Sequence, residues 1–195
     1  MKEIYLALTY TGTTLAKIVK FYTRKKYTHI SIGLDFELKE LYSFGRLNPY
    51  NPFIGGFVHE ELNKGTFGRF KNTMGAVYSL KVTDEQYNSI INTIKTIKEN
   101  KDKYKFNIIG LFFVSINKKY QKQDTFYCAE FVKYILETSF NKEILPEIIK
   151  PMDFLELDNI ELIYEGLFSK YKHTNKDFKT NAIAWNERGQ TLFVL

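Results

Sequence analysis

The 195-residue sequence predicts an α+β fold, and two kinds of hydrophobic pattern carry that prediction. Several short segments rich in β-branched and aromatic residues alternate with the period of two that a strand requires. Residues 87–97 and 128–139 instead repeat apolar residues at the spacing of one helix face. Because 44% of the residues are hydrophobic, we expect one domain over residues 1–195, with a polar C-terminal extension from about residue 167.

The N-terminal part predicts a strand, a helix and then a hairpin. In chain order these are residues 4–9 (strand), 15–22 (helix), 28–34 (strand) and 40–45 (strand). The third segment places His29, Ser31 and Gly33 on one side, with aliphatic residues on the other. Since residues 35–39 supply only a turn, we expect the last two strands to pair antiparallel.

Prolines and glycines interrupt the middle of the chain. Residues 46–57 contain two prolines and a glycine pair, so we predict a long ordered loop there. A strand over residues 76–82 follows, and Thr83 with Gln86 forms a capping box before the helix of residues 87–97. The most apolar stretch, residues 107–116, is about half the ~20 residues that span a bilayer, and we interpret it as core. The chain then predicts a short helix at residues 153–157, a strand at 160–164 and a strand-like end at 191–195.

The helix predicted from residue 128 carries the single cysteine of the chain. Its apolar stripe consists of Cys128, Phe131, Val132, Ile135 and Leu136. Cys128 therefore points inward from the first turn, and either Asp124 or Thr125 can cap the helix before it. The thiol lies at the helix end where backbone N–H groups are unpaired, a position that favours the thiolate.

A reactive cysteine also needs a base, and the sequence offers three histidines. We place His59 in a loop and His173 in the polar C-terminal extension. His29 lies on a predicted strand with hydroxyl residues on the same side. From the residues alone, Cys128 as a small core residue and His29 as a structural hydrogen-bonding group stay open beside a Cys-His catalytic pair.

Three short motifs in order resemble the circularly permuted NlpC/P60 families of papain-like proteins. They are THISI at residues 28–32, LYSFG at 41–45 and FYCAEFV at 126–132. Their order, with the histidine strand before the cysteine helix, resembles the bacterial YiiX/YebB-like group and the lecithin:retinol acyltransferase relatives. The segments 149–157 and 161–166 also look like the ending of the YiiX-like group. The resemblance implies a papain-like fold, an antiparallel sheet whose histidine strand packs against the N-terminus of the cysteine helix.

The resemblance further implies a cysteine nucleophile, a histidine base and a third polar residue, and the first two match Cys128 and His29. For the third, a hairpin turn centred between Asp35 and Glu37 sets Ser43 opposite His29. A serine hydroxyl fixes the imidazole tautomer but does not stabilise the imidazolium as a carboxylate does. Glu40 and Tyr42 stay open as alternatives for this position.

The function that we expect is that of a cysteine peptidase or amidase, or of a thiol-dependent acyltransferase, with a peptide, amide or acyl substrate. The alternative is a non-catalytic binding module on the same fold that contacts an anionic partner. We expect no cofactor and no metal, because one cysteine and three scattered histidines lack ligand spacing. The oxyanion donor, with several tyrosines available, and the oligomeric state stay open.

The net charge of +6 gathers partly in two short basic runs. They are Lys17, Lys20, Arg24, Lys25 and Lys26, and then Lys118, Lys119 and Lys122. No nucleic-acid-binding motif accompanies them, so we expect no nucleic-acid partner. The N-terminus lacks the pattern of a secretory signal, a lone cysteine excludes an internal disulfide, and no stretch is long enough to span a membrane. These features predict a cytoplasmic protein.

Overall fold

A computed structural model describes residues 1–171 of the chain. The strands within that part are β1 (Lys2–Tyr10), β2 (His29–Gly33), β3 (Leu41–Asn48), β4 (Asn51–Glu60), β5 (Met74–Val82), β6 (Lys105–Phe106), β7 (Thr125–Phe126) and β8 (Ile160–Leu167). The α-helices are α1 (Thr14–Thr23), α2 (Gly65–Arg69), α3 (Asp84–Glu99), α4 (Ile108–Ser115) and α5 (Cys128–Phe140). Two short 3-10 helices, Pro151–Glu156 and Phe168–Lys170, flank β8. His173 and the strand-like residues 191–195 lie outside the described residues.

Six strands form one sheet in the order β4-β3-β2-β1-β5-β8. Every neighbouring pair in it is antiparallel. The predicted α+β class and the antiparallel hairpin of β2 and β3 are therefore confirmed. The remaining two strands, β6 and β7, form a small parallel pair directly before α5.

The sheet buries apolar residues on both faces, because its strands alternate side chains between two layers. The larger core takes the even-numbered residues of β1, such as Leu6 and Leu8, and packs them with helices α3 and α5. The smaller cluster, on the other face, takes Tyr5 and Ala7 and is closed by Phe67 of α2 and by Phe168. The predicted capping box starts α3, where the Thr83 hydroxyl accepts from the backbone N–H of Gln86 at 3.1 Å.

The prediction of a loop over residues 46–57 is wrong, because these residues form most of the β3–β4 hairpin. Pro49 lies in the turn of this hairpin, and Pro52 is tolerated on β4 since β4 is the edge strand of the sheet and its outer N–H groups need no partner. The glycine pair allows a close approach rather than a turn. A Cβ atom at Gly55 would lie 2.6 Å from Cγ of Phe106, so only glycine lets β6 pack this closely over the strand.

The β2–β3 register differs from the predicted one by two residues. Ile32 pairs with Tyr42 and Gly33 with Leu41, which places Gly45, not Ser43, opposite His29. The turn is longer than expected because Leu38 adopts a left-handed conformation with φ of 53°. An even shift keeps every side chain on its predicted face, so Ser43 stays on the side of the sheet that also carries Ser31.

Two further expectations near α4 and α5 need correction. The helix of Cys128 is capped by Tyr127 rather than by Asp124 or Thr125, because the chain remains extended through β7. The apolar stretch of residues 107–116 contains α4, and it is core only in part, since Val114 is buried but Phe112 is 56% exposed. Among the described residues, no helix has the length and apolar character needed to cross a membrane.

Candidate active site

Cys128 opens helix α5 and lies in the larger core, 4% exposed. The predicted inward orientation of Cys128 is therefore confirmed. As the first residue of the helix, it stands among the N–H groups that have no partner within the helix. The first turn is fixed by Glu130, whose carboxylate accepts from the backbone N–H of Tyr127 at 3.0 Å and from the Asn107 amide at 3.2 Å.

His29 opens strand β2, and the thiol of Cys128 is among the groups that raise its pKa. Burial disfavours the charged ring and lowers the pKa of His29. That effect is outweighed by the negative charge of Glu60, by interaction with Cys128 and by hydrogen bonds to both, so that the pKa rises from 6.5 to about 10. The imidazole is therefore predominantly protonated at neutral pH.

Glu60 holds the far side of the imidazole. Its Oε1 atom lies 3.0 Å from Nε2 of His29, and the carboxylate is 9% exposed. The hydroxyl of Ser31 lies 3.3 Å from the same nitrogen, so Nε2 is engaged within the site. Cys128, His29 and Glu60 thus form a chain in which one imidazole links a thiol to a buried carboxylate, the arrangement that activates a nucleophile.

Two buried serines hold the carboxylate in place. Ser43 donates its hydroxyl hydrogen to Oε1 of Glu60 at 2.9 Å, and Ser31 donates to Oε2. Burial raises the pKa of Glu60, but the charge of His29 and the hydrogen bonds from His29 and both serines lower it below its ordinary value. Glu60 therefore stays ionised and keeps its charge opposite the imidazolium.

Gly45 provides the space in which the ring lies. A Cβ atom at this position would stand 3.4 Å from Cε1 of His29 and 3.3 Å from the Ser43 hydroxyl. These distances are tight for real side chains, so a larger residue would press on the imidazole. The glycine of the predicted LYSFG motif thus lies across the sheet from the histidine, in the position that the sequence had suggested for serine.

Only some of the site residues predicted from the sequence come together in the structure. Cys128 and His29 come together, whereas the Ser43 hydroxyl reaches the carboxylate of Glu60 rather than the imidazole. The alternatives Glu40 and Tyr42 bond each other through the tyrosine hydroxyl and the carboxylate. The catalytic role of Ser43 stays a prediction, now as a support for Glu60.

Sequence reasoning missed Glu60 because the prolines of residues 46–57 suggested a loop. The side chains of the last four residues of β4 alternate, with Phe57 and His59 on one side and Val58 and Glu60 on the other. That alternation is the signal that predicts a strand. His59 therefore lies on β4 rather than in a loop. It stacks on Tyr42 with ring centres 5.0 Å apart and takes no part in the site.

Comparisons with known proteins bear on the fold. The sequence matches no protein-family profile and no curated protein sequence. The structure is similar to the crystal structure of YiiX from Escherichia coli O157:H7, described as a metalloprotein. The TM-score is 0.52 at 12% sequence identity, over 84% of this chain and 97% of that one. This supports a YiiX-like fold, which was one part of the resemblance noted from the motifs.

The site residues of this chain do not fit a metal ion. Within residues 1–171, no three His, Cys, Asp or Glu side chains are grouped so that they could hold one. Nε2 of His29 is engaged by the carboxylate of Glu60 and the hydroxyl of Ser31, so it is not free to bind an ion. The chemistry proposed below therefore uses no metal ion.

Proposed function

We propose that this protein is a cysteine-dependent hydrolase or acyltransferase in which Cys128 is the nucleophile, His29 the acid and base, and Glu60 the residue that orients His29. The observation that carries the proposal is the buried Glu60 carboxylate 3.0 Å from Nε2 of His29, together with the interaction of the same imidazole with the Cys128 thiol. This is the minimum that a thiol nucleophile requires, a base in contact and a group that fixes the base.

The raised pKa of His29 determines the form in which the pair reacts. An imidazole that is already protonated cannot take the thiol proton during attack, so the reactive species is the Cys128 thiolate beside the His29 imidazolium. The sulfur attacks the carbonyl carbon of an amide or ester and forms a C–S bond. The oxygen of the tetrahedral intermediate takes the negative charge, which the backbone N–H of Cys128 at the helix N-terminus stabilises.

Collapse of the intermediate breaks the bond to the leaving group, which takes the proton from His29 and departs as an amine or alcohol. The acyl group remains on Cys128 as a thioester. The neutral imidazole then accepts a proton from water or from a second acceptor as it attacks the thioester. Release of the carboxylic acid or of the transferred acyl product restores the thiolate and the imidazolium.

The permuted NlpC/P60 relationship is part of this proposal. Its support is the chain order of His29 on β2 before Cys128 on α5, together with a YiiX-like fold. The families of that resemblance cleave peptide or amide bonds or transfer acyl groups, and we propose the same range of substrates here. A buried carboxylate on Nε2 can stabilise the imidazolium, which a serine in the third position does not, and this favours the catalytic proposal over the non-catalytic module.

The test is the pH dependence of thiol alkylation, followed by mass spectrometry of the single cysteine. We expect Cys128 to react with iodoacetamide at pH 6 at least ~10 times faster than a free thiol, which is largely protonated at that pH. Glu60→Gln and His29→Gln should slow the reaction, whereas His59→Gln, the matched histidine control on β4, should not. A rate at pH 6 equal to that of a free thiol, in a chain shown to be folded by circular dichroism, contradicts the proposal.

A further inference from the structure

Helices α1 and α4 turn their large apolar side chains outward. On α1, Ile18, Phe21 and Tyr22 are 44%, 77% and 49% exposed. On and just after α4, Ile109, Phe112 and Ile116 are 50%, 56% and 42% exposed. Each set follows helical spacing, so each forms one stripe, and the two helices contact each other. We call these six residues the apolar face.

Several inward positions of the same helices hold small or medium-sized residues. Among the described side chains, Ala16 and Val19 are buried on α1, and Gly110, Val114 and Ser115 on α4, where the partly buried Leu111 also packs against the larger core. A surface helix ordinarily buries its larger apolar residues and exposes polar ones. Here six large apolar side chains are exposed on two helices that contact each other, without a partner in the described part of the chain, and such surfaces mark interaction sites.

Only positive charges border the apolar face along the chain. Residues 4–34 and 103–123 contain ten lysines and arginines and no aspartate or glutamate. Lys17 and Lys20 lie on α1 itself, and Lys118 follows α4 within a few residues. Lys20 also lies over the ring of Tyr10, with Nζ 4.3 Å from the ring centre. The chain segments that carry the face are thus apolar and cationic together, although Lys26, Lys103 and Lys119 are ion-paired with Glu165, Asp124 and Glu147.

The apolar face stands beside the candidate active site. The hydroxyl of Thr13, which caps α1, accepts from the Arg46 guanidinium at 2.6 Å, and Arg46 follows Gly45, which lies against the His29 ring. Asn107, which caps α4, donates to Glu130 in the first turn of the cysteine helix. Both exposed helices therefore begin next to residues that hold the site.

We propose that the apolar face docks onto the surface of a membrane that contains anionic phospholipids. The outward isoleucines and aromatic rings would enter the region between headgroups and acyl chains, while Lys17, Lys20 and Lys118 meet the lipid phosphates. Charge decides between this occupant and a second copy of the chain, because two cationic faces repel each other. Nucleic acid would match the charge but gives no use to outward aliphatic side chains such as Ile109.

The test is co-sedimentation of the full chain with vesicles of phosphatidylcholine alone or mixed with phosphatidylglycerol at one part in four, at physiological salt. We expect at least ~10-fold stronger partition into the anionic vesicles. Lys17→Gln with Lys20→Gln should weaken that partition roughly 30-fold, because each basic residue at the surface contributes about fivefold. Phe21→Ser with Phe112→Ser should weaken it by ~10-fold or more.

Matched controls lie elsewhere on the surface. Lys81→Gln with Lys95→Gln removes two exposed charges far along the chain from the apolar face, and Leu162→Ser removes an apolar side chain that is 41% exposed on β8. These controls should bind vesicles as the unmodified chain does. Cys128→Ser should also bind them, which separates docking from the proposed catalysis. Thermal melting of each variant verifies that it is folded.

Several outcomes overturn the proposal. They are no partition of the unmodified chain into anionic vesicles, partition that survives both double variants, and equal loss in the matched controls. Self-association that depends on Phe21 and Phe112, measured by light scattering without lipid, assigns the face to a second copy instead. If duplex DNA releases the protein from vesicles, and Phe21→Ser with Phe112→Ser leaves vesicle binding unchanged, the basic residues serve nucleic-acid binding instead.

Discussion

Replacing Glu60 by glutamine tests the charge interaction between Glu60 and His29, because it removes the charge while keeping the size of the side chain and most of its hydrogen bonds. The pKa of His29 is raised from 6.5 to about 10 by Glu60 and Cys128 together. This difference corresponds to at most about 5 kcal/mol between imidazolium and imidazole, at ~1.4 kcal/mol per pH unit. Since two partners share the effect and the ring is one-fifth exposed, we expect Glu60→Gln to lose about 2 kcal/mol of folding free energy.

The sign of the pH dependence follows from the direction of the shift. Because the folded-state pKa of His29 lies above its unfolded value, this stabilisation is complete below pH 6.5 and is lost as the pH rises through about 10. Urea unfolding at pH 6 should therefore show a larger difference between Glu60→Gln and the unmodified chain than unfolding near pH 10. The same substitution should lower the pKa of His29, measured by NMR titration of the ring, by two units or so.

The result that refutes this reasoning is a His29 that titrates near 6.5 in the unmodified chain, or one whose pKa does not move in Glu60→Gln. His59→Gln is the control for the NMR experiment. It assigns the remaining ring signals and removes a histidine that bonds the backbone carbonyl of Lys39 rather than the site. A double-mutant cycle with His29→Gln then isolates the energy of the pair from the separate effects of each change.

Three further predictions concern residues around the site. Ser43→Ala removes a hydrogen-bond donor to the buried Glu60 carboxylate, so it should lower the free energy of unfolding by about 1–2 kcal/mol at neutral pH. It should also move acid unfolding to higher pH, because the lowered pKa of Glu60 stabilises the fold only above that pKa and the substitution removes one of its causes. Burial raises the pKa of Glu130 to about 7, so the folded state loses stability relative to the unfolded state as the pH rises from 4.5 through 7. Glu130→Gln removes this titration, and urea unfolding across that range should show a pH dependence that is smaller by about 1–2 kcal/mol. Gly55→Ala should lower the melting temperature, because its Cβ would meet Phe106 at 2.6 Å, while Gly56→Ala should cost less, since its nearest contact is a flexible leucine end at 3.3 Å. Equal melting temperatures for the two alanine variants would contradict the packing argument.

Local patterns in the sequence were enough to predict the two members of the site that regular elements position. Cys128 lies on a helix whose apolar stripe fixes its direction, and His29 lies on a strand whose alternation fixes its side of the sheet. The contact between them followed only from the resemblance, because nothing in the spacing of 98 intervening residues brings the two elements together. Glu60 was out of reach for a different reason, since Pro49 in the β3–β4 turn and Pro52 on the edge strand β4 made the segment resemble a loop.

The register of the β2–β3 hairpin shows how small a detail can redirect a prediction. One residue in a left-handed conformation, Leu38, lengthens the turn and moves Ser43 two positions along the strand from His29. A sequence does not reveal this, because leucine rarely adopts that conformation and only the surrounding fold makes it do so. Ser43 nevertheless remained on the predicted face, since a shift by an even number of residues preserves the alternation.

The sequence by itself determined the α+β class, the main helices and most strands, and the inward direction of Cys128, because these depend on periodicities of a few residues. Tertiary structure alone decided that Glu60 binds Nε2 of His29, that two serines hold its charge, and that α1 and α4 leave large apolar residues outside. Such features depend on which distant segments pair and on what covers each helix. Those contacts form between residues that share no local pattern, so they become visible only once the chain is folded.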